Sequence, residues 1–381
     1  MTWRSTTVEE ERLLFIQEAL DKHTNLTFQE ICEKYNISRK TGYKWYKRFL
    51  LMGREALADK SRARLTQPEK VPENIESMIV AIRKEYPTWG PKKIKALMAY
   101  ESVDSPSRSS IANILKKHEL SKSRHYRRHV ANTAPLADCH HPNDVWMYDF
   151  KGSFRLGDGS VCEPLTITDG SSRYLLSCVQ MQRKRGKDVW EVLQRAFFEY
   201  GLPLRIRSDN GPPFATTGVG RLSQLAVNII KAGVTPEWIS PGCPQENGRH
   251  ERFHLTLKNE TASPPASSLS LQVEKFKQFT NYYNNIRPHE ALGFVTPKER
   301  YCPSPRRWDG VLRSPDYGME YDKRKVCKGG NISWKGEVFF ISESLRGEYV
   351  GLKELALGEM GVYFGSILLG IFDFKKGFKR S

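Results

Sequence analysis

The sequence is short of the features that mark membrane proteins, secreted proteins and zinc-stabilised domains. Its longest nearly apolar run, residues 361–372, is shorter than the ~20 residues of a membrane-spanning helix. The first residues, MTWRSTTVEEER, contain no apolar signal segment, so we expect no membrane association. The seven cysteines stand singly, without a C-x-x-C pair, which favours reduced thiols in a cytoplasm and provides no paired-cysteine zinc site.

Acidic residues are also scarce relative to basic ones. There are 60 lysines and arginines against 43 aspartates and glutamates, which leaves a net charge of +17. Such an excess indicates a polyanionic partner, and without a membrane segment nucleic acid is the first candidate. The hydrophobic fraction of 39% is enough for ordinary cores, and 381 residues predict two or three domains.

Residues 1–66 are expected to form a helical DNA-binding domain. Helical spacing of apolar residues over 8–22 is followed by Thr27 and Glu30, a capping box, and by Ser38, which can cap the next helix. Two short helices joined by a tight turn are typical of a helix-turn-helix. The second helix would read bases through Arg39, Lys40, Lys44 and Arg48. A solvated basic helix in a small bundle is the alternative.

Three more helices are predicted over residues 67–120, and they resemble a second helix-turn-helix with its recognition helix at 107–117. A basic linker, residues 121–141, follows. Its arginines are expected to contact DNA phosphates: Arg124, Arg127 and Arg128.

From residue 144 the hydrophobic period changes to that of strands. VWMYDFKGSFRL, VCEPLTITD and RYLLSCVQM predict three strands joined by hairpins, the first turn at Asp158-Gly159. Helices and strands then alternate, which predicts an α/β domain with a mixed sheet over 142–302. Residues 303–321 are rich in proline and arginine and are expected to be a linker, and 322–381 predict a small all-β barrel.

Three acidic residues stand out in the predicted α/β domain. Asp149 lies inside an apolar strand, where an unpaired carboxylate is unfavourable. Asp209 directly follows the fourth strand, and Glu251 lies on a helix that also carries Lys258. Three carboxylates in a basic protein suit hard divalent cations such as Mg²⁺. Taken singly, Asp209 can be a turn residue and Glu251 a solvated helix charge, whereas Asp149 is hard to explain that way.

Five ordered segments resemble the catalytic core shared by retroviral integrases and bacterial insertion-sequence transposases. They are VWMYDFKG, LTITDGSSRYLL, IRSDNGPPF, SPGCPQENGRHERFHLTLKNE and YNNIRPHEALGFVTPKERY. The resemblance implies a ribonuclease-H-like fold, a divalent-metal requirement and DNA strand transfer. It matches Asp149, Asp209 and Glu251 to the family's two aspartates and glutamate. The looser resemblance of the flanking regions implies an N-terminal helix-turn-helix in place of a zinc-binding module, and a C-terminal SH3-like barrel.

The spacing departs from the family in one place. The interval between Asp209 and Glu251 is longer than is usual in retroviral integrases, and we expect the extra residues within GPPFATTGVG or the loop before Glu251. Glu246 is the competing match by spacing. We prefer Glu251 because it stands in the ERF context.

Two other functions fit parts of the sequence. Residues His250 to His254 spell H-E-R-F-H, a literal match to the H-E-x-x-H zinc-protease pattern with Glu251 as general base. No third ligand follows apart from His289, and proteolysis does not explain the charge. The helix-turn-helix alone would also suit a catalytically inactive DNA-binding regulator.

The resemblance therefore implies a transposase that binds the terminal inverted repeats of an insertion sequence. It would cleave the element ends and join their 3′-hydroxyls to target DNA by phosphodiester transesterification. We expect Mg²⁺ or Mn²⁺, two ions per active site, held by Asp149, Asp209 and Glu251, with Lys258 at the DNA end. A homo-oligomer, a dimer or larger, on DNA is implied, in the cytoplasm and associated with the bacterial nucleoid.

Overall fold

The computed structural model describes residues 7–59, 71–121, 136, 138–240, 248–356, 359–373 and 377–380. The chain separates into two compact units, Met1–Lys70 and Val71–Ser381. No helix in the described ranges is both long and apolar enough to cross a membrane.

The first unit contains three helices, α1 (Val8–Leu20), α2 (Phe28–Lys34) and α3 (Arg39–Met52). The capping box of Thr27 and Glu30 and the Ser38 cap are both present, because each side-chain oxygen accepts a backbone N–H of the first helical turn. Gly42 lets α3 pack closely on α2, since a Cβ there would lie 2.5 Å from Cys32 Sγ. The helix-turn-helix expected at this position is confirmed.

The second unit begins with α4 (Glu73–Glu85), α5 (Pro91–Tyr100) and α6 (Arg108–Lys117). Their shared core includes Ile79, Trp89, Ile94 and Ile111. Hydrogen bonds fix this bundle to the helices that follow in the chain. Trp89 Nε1 donates to the Tyr282 hydroxyl at 2.5 Å, and Thr88 Oγ1 donates to Glu260 Oε1 at 2.6 Å.

A five-stranded mixed sheet forms the centre of the second unit. In spatial order it contains β5 (Leu175–Gln180), β4 (Pro164–Asp169), β1 (Val145–Phe150), β6 (Arg205–Ser208) and β7 (Thr235–Trp238). The first three strands pair antiparallel, and β1, β6 and β7 run parallel. The hairpin order and the mixed sheet agree with the prediction.

Two runs that were each predicted as one strand, VWMYDFKGSFRL and VCEPLTITD, are each divided into two strands in the structure. β1 ends at Phe150, and a separate short hairpin of β2 (Phe154–Arg155) and β3 (Val161–Cys162) follows. The break falls at Gly152, whose φ of 84° is incompatible with a continuing strand. The turn predicted at Asp158-Gly159 closes the short hairpin.

Helices cover both faces of the central sheet. α7 (Gly186–Tyr200) and α8 (Gln224–Lys231) pack on the face that presents Leu165 and Ile167 of β4. α9 (Gly248–Thr261) and α10 (Leu269–Asn285) lie on the opposite face, and a short helix α11 (Pro297–Arg300) follows. β4 is buried along its whole length because helices cover both of its sides.

The segment after α11 packs on the central domain although its composition predicts a linker. Ser304 Oγ donates to Leu202 O at 2.7 Å, and Trp308 contacts Trp190 and Phe197 within the main core. This packing places the following strands against the same domain.

The C-terminal region contains β8 (Asp322–Lys325), β9 (Asn331–Trp334), β10 (Glu337–Phe340), β11 (Tyr349–Ala356), β12 (Glu359–Phe364), β13 (Ile367–Asp373) and β14 (Gly377–Arg380). One sheet has the order β14-β13-β12-β11-β8, and β9 pairs with β10 separately. Among the described residues no pairing joins the two edges of the larger sheet, so the expected closed SH3-like barrel is not confirmed.

The apolar face of this sheet is covered by the central domain instead. Val219, Leu222, Ala226 and Val227, from α8 and the turn before it, share one buried cluster with strand residues such as Leu369. A sheet whose apolar face is already covered has no need to close on itself. The GPPFATTGVG segment thus supplies part of the docking surface through Val219.

Candidate active site

The three predicted carboxylates come from adjacent elements of the central domain. Asp149 lies near the end of β1 and is half-buried, and Asp209 directly follows β6, the parallel neighbour of β1. Glu251 lies in the first turn of α9 and is exposed. Two side chains at the carboxyl ends of neighbouring parallel strands share the edge at which such sheets bind ligands.

The pKa of Asp149 is affected by both of the other carboxylates. Burial, followed by the negative charge of Asp209, raises the pKa of Asp149 to about 7. The charge of Glu251 acts in the same direction, whereas the Phe150 N–H, at 2.7 Å from Oδ1, and Lys184 oppose it. A bound divalent cation would remove this repulsion, and the all-oxygen donor set fits Mg²⁺ or Mn²⁺.

The three carboxylates are not arranged as a ready metal-binding site in the described ranges. No three His, Cys, Asp or Glu side chains in the described ranges are arranged to hold a metal ion. Residues 241–247, directly before α9, lie outside those ranges, and so does Glu246, the competing third carboxylate. The described residues therefore offer three carboxylate donors for a divalent cation, Asp149, Asp209 and Glu251.

Asp209 is held by the turn that its neighbours form. Its Oδ1 accepts the Gly211 N–H at 3.1 Å, and Asn210 is fixed by Ile239 O and the guanidinium of Arg221. Turn chemistry and a metal-binding role are therefore compatible at this residue. Asp169, by contrast, is buried and its carboxylate accepts hydrogen bonds from Asn143 and Ser172, which is a structural role.

The H-E-x-x-H pattern does not form a zinc site. His250 and His254 are 1% and 9% exposed, and both Nε2 atoms lie 2.8 Å from Thr166 Oγ1 on β4. The second ring nitrogen of His250 lies 2.9 Å from Thr168 Oγ1. Because these hydroxyls occupy the imidazole nitrogens inside the protein, the zinc-protease interpretation is wrong.

Lys151 is a further candidate site residue, one that the sequence did not reveal. It follows Asp149 by two positions, and its pKa is lowered by burial and then by the charge of Lys258, against the attraction of Asp149. Neither lysine forms an ion pair with a described residue, whereas nearby Lys184 is paired with Glu163. Two lysines close to each other without a bound anion form a favourable environment for a phosphate.

The predicted DNA-reading residues of α3 differ in exposure. Arg39, Lys40 and Lys44 are exposed, as base contacts require. Arg48 is half-buried, and its guanidinium lies 4.9 Å from the ring centre of Trp45. The predicted phosphate contacts Arg124, Arg127 and Arg128 lie outside the described residues.

Comparison with known families agrees with this geometry. Two family models of the integrase core domain match residues 139–244 and 232–297. Residues 139–297 are thus similar to the integrase core domain. A helix-turn-helix domain model matches residues 11–64, and a homeodomain-like domain model matches 41–115.

The relatives are proteins of bacterial insertion elements. An uncharacterised protein of insertion element IS476 from Xanthomonas euvesicatoria is 24% identical over 61% of this chain and 66% of its own length. The transposase for insertion sequence element IS904 from Lactococcus lactis is 26% identical over 42% of this chain and 61% of its own length. Both matches thus span slightly less than two thirds of the relative.

A solved structure of the HTLV-2 integrase catalytic core domain in complex with magnesium covers 43% of this chain and 99% of that chain. Its identity is 17% and its TM-score is 0.33. The similarity of residues 139–297 to the integrase core domain rests on the family models and not on this overlap.

Proposed function

We propose that this protein is an insertion-sequence transposase that cleaves the ends of its element and joins the 3′-hydroxyls to target DNA. The observation that carries the proposal is that Asp149, Asp209 and Glu251 lie within the region matched by the integrase core models and affect one another. Burial, followed by the charge of Asp209 and with that of Glu251 in the same direction, raises the pKa of Asp149 to about 7. The relative from Lactococcus, named as a transposase, supports the same class.

Asp149, Asp209 and Glu251 would hold two Mg²⁺ or Mn²⁺ ions in this function. Bound ions of this kind activate a nucleophile and stabilise the leaving oxygen of an in-line displacement at phosphorus. Asp149 and Asp209 contribute a rigid edge, since both are fixed by backbone N–H groups. Glu251 would complete the set from the first turn of α9.

The basic residues bind and orient the DNA. Lys258 and Lys151 would hold the backbone phosphates beside the reacting bond, where neither has an anionic partner among the described residues. Arg39, Lys40 and Lys44 would read the terminal inverted repeats from α3, with Arg48 at the edge of that surface. Joining two ends to one target requires two active sites, so a dimer or larger assembly on DNA follows.

The test is incubation of the full chain with candidate element-end DNA and Mg²⁺, scored for nicking and joining. We expect wild-type protein to cut and join, and the amide variants Asp149→Asn, Asp209→Asn and Glu251→Gln to lose cleavage by orders of magnitude while still binding DNA. Asp158→Asn is the matched control, because Asp158 lies in an exposed turn and its carboxylate accepts hydrogen bonds only from Ser160.

Two outcomes would contradict the proposal. Binding of end DNA by the wild-type protein without any cleavage would favour the inactive regulator. Full cleavage by Glu251→Gln would remove Glu251 from the site, and loss of cleavage in Glu246→Gln would move the third ligand there.

A further inference from the structure

A cluster of two threonines and two histidines connects α9 to the central sheet. We call Thr166, Thr168, His250 and His254 the Thr-His latch. All four side chains are buried, with exposures of 0%, 4%, 1% and 9% in that order. Three hydroxyl-imidazole contacts of 2.8–2.9 Å join the strand to the helix.

The protons of the latch can be assigned without conflict. Thr166 Oγ1 donates to the backbone oxygen of Asp149 at 3.2 Å, so it accepts from both imidazoles. His250 and His254 then carry their protons on Nε2, and His250 Nδ1 accepts the hydroxyl proton of Thr168. In this assignment both rings are neutral, and each of the three hydroxyl-imidazole contacts has one donor and one acceptor.

The latch connects β1, which carries Asp149, to α9, which carries Glu251. Thr166 is paired with Asp149 in the β1-β4 register, and its hydroxyl bonds to that residue's carbonyl. His250 precedes Glu251 by one position and His254 follows it by three, so both anchors lie within one turn of the carboxylate. One hydroxyl thus connects the backbone of Asp149 to the helical turn that carries Glu251.

Apolar packing alone would leave the position of this turn poorly defined. Phe253 and Leu257 of α9 pack against α10 and β5, but apolar contacts are not directional. Hydrogen bonds weaken steeply with angle and distance, and a helix shift of one residue would break all three. Threonine at 166 is shaped like valine and differs from it by the hydroxyl that accepts these bonds.

We infer that Thr166 is a positioning residue, whose hydroxyl fixes α9 through His250 and His254 so that Glu251 faces Asp149 and Asp209. The inference rests on the proposed function for the role of the three carboxylates. It assigns to the H-E-x-x-H pattern a part in positioning a metal ligand, in place of metal binding by the histidines themselves.

The experiment measures Mn²⁺ binding by the full chain without DNA, together with hydrogen exchange of the α9 amides. Thr166→Val removes the hydroxyl and keeps the shape, so Mn²⁺ affinity should fall by roughly 10–100-fold, as for other residues that orient metal ligands. The α9 amides should exchange faster. Thr166→Ser restores the hydroxyl and should bind Mn²⁺ like the wild type.

Thr256→Val is the matched control, because the Thr256 hydroxyl bonds only to Arg252 O within α9. It should change neither measurement. If Thr166→Val does not fold, Thr168→Val replaces it, since that variant removes only the bond to His250 Nδ1 and should weaken Mn²⁺ binding by a smaller factor.

Unchanged Mn²⁺ affinity in the valine variant that folds, or equal weakening by Thr166→Ser, would overturn the inference. Wild-type protein that binds no Mn²⁺ would overturn it together with the metal site. Wild-type protein that binds Mn²⁺ and shows the expected series, yet leaves end DNA intact, would refute the proposed function and leave the latch in place.

Discussion

At the scale of single residues, Asp149 combines burial with two neighbouring negative charges. In the metal-free folded protein the pKa of the Asp149 side chain is about 7, so it is mostly ionised only above that pH. In an unfolded chain it would ionise near pH 4. The folded state therefore holds an extra proton between these values, and folding stability falls as the pH rises through that window. Above pH 7 the ionised Asp149 lowers the folding stability by its full amount until a cation binds.

This predicts that Asp149→Asn stabilises the metal-free protein at pH 8. The gain should be on the order of 2–4 kcal/mol at most, since each pKa unit corresponds to about 1.4 kcal/mol, and it should vanish near pH 4. Thermal unfolding in EDTA at pH 5 and pH 8 measures it. Asp158→Asn serves as the control, and a loss of stability at pH 8 in Asp149→Asn would contradict the account.

The sequence identifies Asp149 because an acid within an apolar strand needs a partner, and Asp209 and Glu251 through the family resemblance. It does not identify Lys151 or Thr166. Lys151 becomes notable only when Lys258, more than 100 positions later, is brought beside it. Thr166 looks like any strand threonine until α9 places two imidazoles against its hydroxyl.

At the scale of elements, the starts of helices were predicted better than the ends of strands. Caps such as Thr27 and Ser38 fix helix starts locally, and both are present. The run VWMYDFKGSFRL reads as one strand, yet the left-handed backbone at Gly152 divides it. The C-terminal sheet agrees with the prediction, but its closure into a barrel is not confirmed. α8 supplies apolar surface to this sheet, which strand periodicity cannot reveal.

The helix α3 should determine DNA sequence preference. Arg39→Ala or Lys40→Ala should reduce discrimination between element-end and random DNA by about 1–3 kcal/mol, because both side chains are exposed at the N-terminus of α3. Competition binding with the two DNAs measures the difference. Lys22→Ala, an exposed lysine outside α3, should leave discrimination unchanged, and unaltered specificity in both α3 variants would refute the recognition role.

The C-terminal sheet and the central domain should depend on each other for stability. A fragment of residues 1–321 exposes Val219, Leu222, Ala226 and Val227, which are at most 2% exposed in the full chain. Each large apolar side chain left in water loses roughly 1.5–3 kcal/mol. We therefore expect this fragment to melt well below the full chain or to aggregate.

The matched fragment is residues 71–381, which lacks only the first compact unit. It should keep the thermal transition of the central domain, followed by circular dichroism. If residues 1–321 melt at the temperature of the full chain, the sheet is an independent module and the shared core is unimportant for stability.

At the scale of the whole molecule, the charge of +17 favours binding to any DNA, and specificity must come from individual contacts. Lys258→Ala should weaken binding to all DNA sequences alike and reduce the slope of log affinity against log salt by roughly one unit. Salt titration of binding to specific and random DNA checks this. A selective loss for end DNA with an unchanged slope would place Lys258 away from the phosphates.

The central claim is that Asp149, Asp209 and Glu251 bind divalent metal together, and crystals of the full chain with end DNA and Mn²⁺ test it most directly. Anomalous scattering locates manganese without reference to any proposed mechanism. We expect an anomalous peak between the carboxylates of Asp149 and Asp209, within ligand distance of Glu251. A peak at His250 and His254, or none beside Asp149, would contradict it.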